Sequence, residues 1–469
     1  MVLCLALLLL VSLALKARTL STLLGLAFLA ALGTRIWKRG RAGRIAVGIS
    51  ASLLAAAGLL SLVLRPHPPV PGRAGAGRTA ITASLESLPY LAHVDHAAEK
   101  TDGVLAFDPE TAWPGLNLYN SYYKPGAYLL DMAGRTLHTW RPPESGSRWQ
   151  YVAVCGDGDL LVLVEDSCLM RLNWDSRVLW RRDMRAHHEI AVAENGDIYT
   201  LISREEVVLI GPVPVPIIDD VLVVLSPEGV VRRRISLANV LAGELSGWNA
   251  LAVYSRIINP QDLFWKTIRD RRTRPFLLPR ATSFDPFHAN SIEIFDRDVP
   301  ELGRKGDVLI SLRSLDLVAV VDMETEKEIW SWGPGSLQEQ HRPTLLDNGN
   351  LLVFDNGTKR KYSRLIELEP RAKSIVWEYK GGDSDPFYSN WGGTAQRLEN
   401  GNTLVTETSG GRVFEVTREG RTVWDFYNPD LQDDGRRASI YRMTRITAPP
   451  LQASLMKRVE RDLREAGGK

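Results

Sequence analysis

The chain has 469 residues, a formal net charge of +2 and 45% hydrophobic residues. That length allows one large domain or two ordinary ones, and the near-neutral balance gives no global reason to expect nucleic acid as a partner. The apolar residues are unevenly spread, and they set the first division of the chain.

Ile45 to Leu64, "IAVGISASLLAAAGLLSLVL", is a run of 20 uncharged residues. As a helix it spans about 30 Å, the thickness of a bilayer core. Two shorter apolar runs precede it, Val2–Leu15 and Thr19–Thr34, so residues 1–65 are expected to hold one to three transmembrane helices. Arg35–Arg44, "RIWKRGRAGR", carries five basic residues and no acid. The positive-inside rule makes it cytoplasmic and sends everything after Arg65 to the far side. Residues 66–102 read as a linker and a short helix. The linker "RPHPPVPGRAGAGR" contains four prolines and three glycines, and the helix is expected around Leu85–Val94.

A template recurs from Gly103 onward: Gly-Asp or Gly-Asn, an apolar strand, a second strand, a turn, then a strand ending in Trp. Its copies begin at 115, 158, 196, 306, 349 and 401. Each has the length of a four-stranded antiparallel sheet, which buries both faces only by stacking on its neighbours. The expected fold is all-β, a six-bladed β-propeller over residues 103–448 behind N-terminal transmembrane helices. Trp140, Trp180, Trp330, Trp377 and Trp424 are expected to pack between blades.

The third copy reads as interrupted. "IGPVPVPIIDD" (210–220) looks like a proline-rich excursion, and 237–275 like a helical insert over one face, as a lid or a membrane contact. "YRMTRI" near the end is expected to complete a sheet or wrap the rim, and 449–469 to form a helical tail. Cys155 and Cys168 fall at opposite ends of one blade, too far apart for a disulfide.

The repeats serve as a ruler. His188 lies seven residues before Asn195 of one "ENG" turn, and His341 seven before Asn348 of a "DNG" turn. Gln150 and Gly393 share that register, which begins the innermost strand and faces the axial mouth. His288 in "DPFHANS" begins the fourth inner strand after a longer turn. Positions about seven residues after the turn glycine return to the same mouth: Arg313, Asn356 and Thr408. The remaining histidines, at 67, 93, 96 and 138, fall in the linker, near a helix end or in an outer strand.

Three imidazoles can hold zinc, but the adjoining arginine counts against a cation. Arg with His and Asn donors suits a polyoxygen anion, and a neutral imidazole is a nucleophile. The pattern describes sulfuryl or phosphoryl transfer. No glycine-rich nucleotide loop accompanies it, so the donor is expected to be simpler than a nucleotide.

"HHEIAVAENGD", "HANS", "ISLRSLDLVAVVDMETEKEIWSWGPG", "QHRPTLLDNGNLLVFDNG", "KYSRLIELE", "GGTAQRLENGNTLV" and "YRMTRI" together resemble the bacterial arylsulfate sulfotransferase family. The resemblance implies a six-bladed, nucleotide-independent enzyme with no cofactor and no metal. Such an enzyme moves a sulfuryl group from an aryl sulfate donor to a hydroxyl acceptor through a sulfohistidine. It also implies His341 as nucleophile, with His288 and Asn290 on sulfate oxygens and Arg313 balancing charge and depressing the His341 pKa. His188 would be proton carrier or oxygen ligand, with His187 the weaker choice, and Thr394 would sit at the same rim. Tyr119, Tyr122 and Trp391 are the candidates for an aromatic acceptor pocket. With the apolar N-terminus, the resemblance implies an enzyme anchored in the bacterial inner membrane with its propeller on the periplasmic side. Two other readings compete. A quinone-dependent dehydrogenase shares the Trp-containing repeat, and a non-catalytic envelope scaffold would not need the histidine–arginine cluster.

Overall fold

A computed structural model describes residues 102–467, apart from 123, 144–147, 157, 211–212, 245–284 and 383–384. The expected transmembrane segments, the linker and nearly all of the 237–275 insert lie outside the described residues. Among the described residues no helix is long and apolar enough to cross a membrane.

The domain opens with β1 (Gly103–Phe107), followed by β2 (Leu116–Ser121), β3 (Ala127–Leu130) and β4 (Thr136–Trp140). The next sheet holds β5 (Trp149–Val154), β6 (Leu160–Val164), β7 (Cys168–Leu172) and β8 (Val178–Asp183). Then come β9 (Ala186–Val192), β10 (Ile198–Ile210), β11 (Val213–Leu225) and β12 (Val231–Ser236). The fourth sheet is β13 (Ala289–Ile294), β14 (Val308–Leu312), β15 (Leu317–Asp322) and β16 (Lys327–Trp332). The fifth is β17 (His341–Leu345), β18 (Leu351–Asp355), β19 (Arg364–Glu369) and β20 (Ser374–Tyr379). A small pair, β21 (Gly381–Gly382) and β22 (Asp385–Pro386), precedes β23 (Thr394–Arg397), β24 (Thr403–Glu407), β25 (Arg412–Val416) and β26 (Thr422–Tyr427). The last strand, β27 (Ile440–Ile446), leads into the helix Pro449–Gly467.

These strands form six antiparallel blades. The inner strands β27, β5, β9, β13, β17 and β23 each touch the next around a closed ring. Second strands such as β6, β14, β18 and β24 are buried along their whole length, because each blade is covered on both faces. Outer strands such as β8 and β20 are largely exposed.

"YRMTRI" resolves as β27, the inner strand of the first blade, ahead of β2, β3 and β4. At the start of the described residues β1 adds to β26, outside the last blade. The first and last strands of the propeller thus tie the first and last blades and leave no inner edge open.

The tryptophans staple blades through a shared bond. In four blades the outer-strand indole N–H donates to a carbonyl in the next blade's outer turn. Trp180 reaches Pro227 at 3.0 Å, Trp330 reaches Pro370 at 3.1 Å, Trp377 reaches Arg418 at 3.0 Å and Trp424 reaches Met132 at 2.8 Å. In the first blade His138 takes the corresponding Trp174 carbonyl at 3.0 Å, and the Trp140 indole N–H finds no acceptor among the described residues.

The expected excursion at 210–220 is instead strand. β10 and β11 pair over 13 residues each, past the edge of their blade. Pro214 and Pro216 are two residues apart, so both missing N–H groups fall on one edge of this two-stranded arm, where no ladder bond is lost. Cys155 follows β5 and Cys168 opens β7, at opposite ends of β6, and the two are not bonded to each other. The terminal helix lies across the first two blades. Leu455 and Val459 are buried there with Trp140 and Trp174, and Trp174 Nε1 donates to Asp462 at 2.6 Å.

Removal of the chain after Ser439 strips the inner strand from the first blade. Such a truncation is expected to abolish cooperative thermal unfolding of the whole propeller, whereas truncation after Ala448, which removes only the helix, keeps it; differential scanning calorimetry reads the difference.

Candidate active site

Side chains alternate along a regular strand, so an inner strand sends only every second residue toward a given face. Near the axial mouth five of the six inner strands break that alternation with a bulge. The register shifts at Gln150 in β5, at His188 and Glu189 in β9 and at Asn290 in β13. It shifts again at Arg342 and Pro343 in β17 and at Tyr441 and Arg442 in β27. An extra residue bends the strand and re-aims its side chain. His188 (φ 65°), His288 (φ 47°) and Arg342 (φ 45°) lie in the left-handed region, which non-glycine residues adopt at a cost of about 1–3 kcal/mol each. In the sixth blade Gly393 (φ 114°) stands just before β23, and a Cβ there would lie 2.3 Å from the Phe354 ring. Glycine is therefore required at that point of the mouth.

The bulges bring His188, His288, His341 and Arg313 together, from three adjacent blades. Gln150 Oε1 accepts the backbone N–H of His188 at 2.5 Å, which turns its amide nitrogen toward the ring. That nitrogen donates to His188 Nδ1 at 3.1 Å and to Glu165 at 3.2 Å. His188 therefore carries its proton on Nε2, which faces His288 Nε2 at 3.3 Å. On the far side of the ring, His288 Nδ1–H donates to Asp285 Oδ2 at 2.6 Å, and the same carboxylate accepts the His288 backbone N–H at 2.8 Å. The result is a polarised chain, Gln150–His188–His288–Asp285, with one proton shared between two facing Nε2 atoms.

His341 is the first residue of β17 and is locked in the opposite tautomer. Asn356 donates its amide hydrogens to the carbonyls of Ser389 (2.9 Å) and Gly392 (2.6 Å), so its Oδ1 faces His341 and accepts from Nδ1 at 2.8 Å. The Glu339 carbonyl shares that proton at 3.2 Å. The Nε2 lone pair of His341 is left available. Burial first, and the Arg313 charge second, press the His341 pKa down to about 3. The expected effect of Arg313 is present, but desolvation is the larger cause. His188 is likewise held well below the ordinary histidine range, by burial first and then by His187 and the other histidines and Arg313 around it.

Arg313 opens the turn after β14 and is paired with the Glu339 carboxylate. Asn290 is buried on β13. Its Nδ2 donates to the Gln340 carbonyl at 2.9 Å, and its Oδ1 has no hydrogen-bond partner among the described residues. Thr394 heads β23 and lines the axial cavity, and it makes no hydrogen bond to the histidine cluster among the described residues. His187 turns away to Asp220 at 3.2 Å; burial lowers its pKa, but Asp220 outweighs this and holds it raised.

Of the aromatic candidates, Tyr119 is core. It is 2% exposed and stacks on Tyr128 at 5.2 Å, because β2 is covered on both faces. Tyr122 and Trp391 do meet, with ring centroids 5.5 Å apart, and Tyr122 donates to Glu165 at 2.6 Å. Tyr441 adds a third ring 6.3 Å from His188. Asp285 and Glu339 were not singled out by the repeat register. Asp285 precedes its histidine by three residues in "DPFH", a local signal for a carboxylate–imidazole pair; Glu339 gives no such signal.

Three imidazoles and an arginine thus meet at the axial mouth of a six-bladed propeller. The family model for arylsulfotransferase (ASST) matches residues 152–429, well over half of the chain, and the chain belongs to this family of transferases. Among solved structures, a protein of unknown function from Bacteroides caccae is 15% identical with a TM-score of 0.46, over 71% of this chain and 100% of that one. A streptogramin B lyase is 11% identical with a TM-score of 0.40, over 76% of this chain and 96% of the lyase. Neither likeness is high enough to bear on the function. A search of the curated proteins finds no match.

The depressed His341 pKa has a consequence for stability. The folded state keeps this ring neutral down to about pH 3, while the unfolded chain takes up a proton near pH 6.5. Stability present above pH 6.5 is therefore lost progressively as pH falls toward the folded pKa. A His341→Gln variant lacks this term, so its thermal midpoint is expected to fall less than the wild type's between about pH 7 and about pH 4. Equal falls would mean that the ring titrates as an ordinary histidine.

Proposed function

We propose that the protein transfers a sulfuryl group from an aryl sulfate ester to a phenolic or other hydroxyl acceptor, without a nucleotide, through a sulfohistidine on His341. The observation that carries this reading is the Asn356 lock, which leaves a neutral imidazole presenting its Nε2 lone pair beside Arg313. Family membership supports it independently.

In the first half-reaction Nε2 of His341 attacks the ester sulfur and the bond from sulfur to the aryl oxygen breaks. The phenolate leaves as the anion, because the two neutral rings share one proton and its loss would leave an imidazolate. In the second half-reaction the acceptor hydroxyl gives a proton to the relay as its oxygen attacks sulfur and the nitrogen–sulfur bond breaks, and Asp285 balances the imidazolium so formed. The relay then passes that proton to the released phenolate or to solvent. Arg313, released from Glu339 as the anion arrives, pairs with the sulfuryl oxygens, and the second amide N–H of Asn290 is assigned as a further donor to them; Thr394, expected at the same rim, lines the cavity beyond it instead. Donors aimed at developing charge in a water-poor site are the largest general source of such catalysis. Tyr122 and Trp391 form the aromatic wall proposed for the acceptor. The apolar run Ile45–Leu64 is proposed to anchor the enzyme in the bacterial inner membrane with the propeller outside the cytoplasm.

Incubation with p-nitrophenyl sulfate alone is expected to add about 80 Da, one SO3 group, to His341, as a covalent nucleophile requires. Addition of phenol should discharge it. His341→Ala is expected to lose about 10⁴-fold or more in nitrophenolate release, as removal of a nucleophile does elsewhere. Full activity in His341→Ala would overturn the nucleophile assignment, and a wild type inert toward every aryl sulfate would overturn the reaction.

A further inference from the structure

Beyond the histidine mouth the propeller axis holds a cavity of about 340 Å³. Inner strands of four blades line it, through Glu293 of β13, Arg342 and Thr344 of β17, Thr394 of β23 and Arg442 of β27. None of His188, His288, His341 or Arg313 lines it.

Two guanidiniums at this cavity share one carboxylate. Glu189, fully buried on β9, accepts from Arg342 Nη1 at 2.6 Å and from Arg442 Nη1 and Nη2 at 2.9 and 2.8 Å. Arg442 has a side chain only 5% exposed, and its Nε is buried with no hydrogen-bond partner among the described residues. A buried N–H left in that state is costly unless a ligand or water accepts it. Among the described residues Arg342 donates through Nη1 alone, to Glu189 and weakly to the Ile292 carbonyl at 3.5 Å. The Thr344 hydroxyl adds a further donor at the wall. Arg397 is paired through Nη1 with Gly401 at 2.8 Å and through Nη2 with Glu367 at 3.1 Å, and its Nε too has no partner among the described residues.

The counter-charge to the second guanidinium is Glu293. One of its oxygens accepts the Leu345 N–H at 2.7 Å. Burial raises its pKa to about 7 against the pull of Arg342, with Glu189 and Asp296 adding to the rise. Arg442, and at the rim Asp347, Arg397 and Glu399, complete the charged groups around it. With Glu293 ionised, the set Arg342, Arg442, Glu189 and Glu293 is neutral. With Glu293 protonated it carries one net positive charge, walled by donors.

We infer that the axial cavity is a second binding site, which takes a tetrahedral oxyanion such as sulfate between Arg342, Arg442 and Thr344 when Glu293 holds a proton. The anion replaces the Glu293 charge as partner of the guanidiniums, and the protonated carboxyl becomes a donor to it. Arginine forks suit such an anion better than lone cations do. Because Arg342 directly follows His341 within one bulge, the occupant borders the segment that aims the nucleophile. The inference does not rest on the sulfuryl-transfer reading.

Isothermal titration of the full-length chain with sodium sulfate tests it. Binding is expected to weaken about tenfold from about pH 6 to about pH 8, as one linked proton with a pKa near 7 requires. Glu293→Gln should bind with the same affinity at both pH values, and Thr344→Val should bind about tenfold more weakly than wild type, from loss of one hydrogen bond to a charged ligand. Arg313→Ala should leave the pH-dependent component in place. Absence of binding overturns the inference. So does a pH dependence that survives Glu293→Gln and vanishes in Arg313→Ala, which would put the anion at the histidine mouth. If Glu293→Gln fails to fold, Thr344→Val decides, and unchanged affinity in it would mean an adventitious ion only.

Discussion

Each inner strand has two tasks that conflict. It must keep its ladder with the second strand, and it must turn polar side chains toward the axis, where regular alternation would send many of them between blades. The bulge near the mouth satisfies both. His341 pairs with Phe354 and the ladder resumes at Thr344, yet Arg342 and Pro343 stand outside it. The same device recurs at Gln150, His188, Asn290 and Arg442. Left-handed backbone at His188, His288 and Arg342 is the local cost of this geometry, offset by stacked blades that give those strands no alternative path.

The bulges fix more than position. Hydrogen bonds that cross between blades set the tautomer of His188 directly and that of His341 through its partner Asn356. Gln150 belongs to one blade and His188 to the next. Asn356 is held through two carbonyls supplied from beyond its own blade, at Ser389 and Gly392. A protonation state at the axis is therefore a property of the closed ring. This links β27, the strand that closes the ring, to the chemistry: it supplies Arg442 to the charge cluster and Tyr441 to the aromatic edge. Deep burial then keeps His341 neutral, since the charged form loses more from desolvation than its amide partner returns.

Much of this was legible in the sequence because a propeller repeats its geometry. A constant spacing from the start of the inner strand to an Asn-Gly turn lets a count of seven residues carry His188 and His341 to one mouth, and a count in the other direction carries Arg313 and Asn356 there. What escaped was whatever the bulges or the ring closure decide. Gln150 stood in register, but its hold on His188 depends on a backbone N–H exposed by a left-handed residue. Glu189 and Arg442 meet across 253 residues of chain, a pairing no local pattern carries. Tyr119 was a candidate for the aromatic acceptor pocket, yet both faces of its strand are covered. The prolines at 214 and 216 suggested a break, but alternate prolines on a free edge do not interrupt a two-stranded arm.

The closed ring of blades imposes opposite tautomers on two of its imidazoles. Proton–nitrogen correlation spectra of the histidine side chains, assigned by comparison with His341→Gln and His188→Gln, measure this directly. At about pH 6, below the ordinary histidine pKa, both rings are predicted to be neutral, His341 protonated on Nδ1 and His188 on Nε2. A charged His341 at that pH, or a His341 that carries its proton on Nε2, would mean that Asn356 does not set this ring's tautomer.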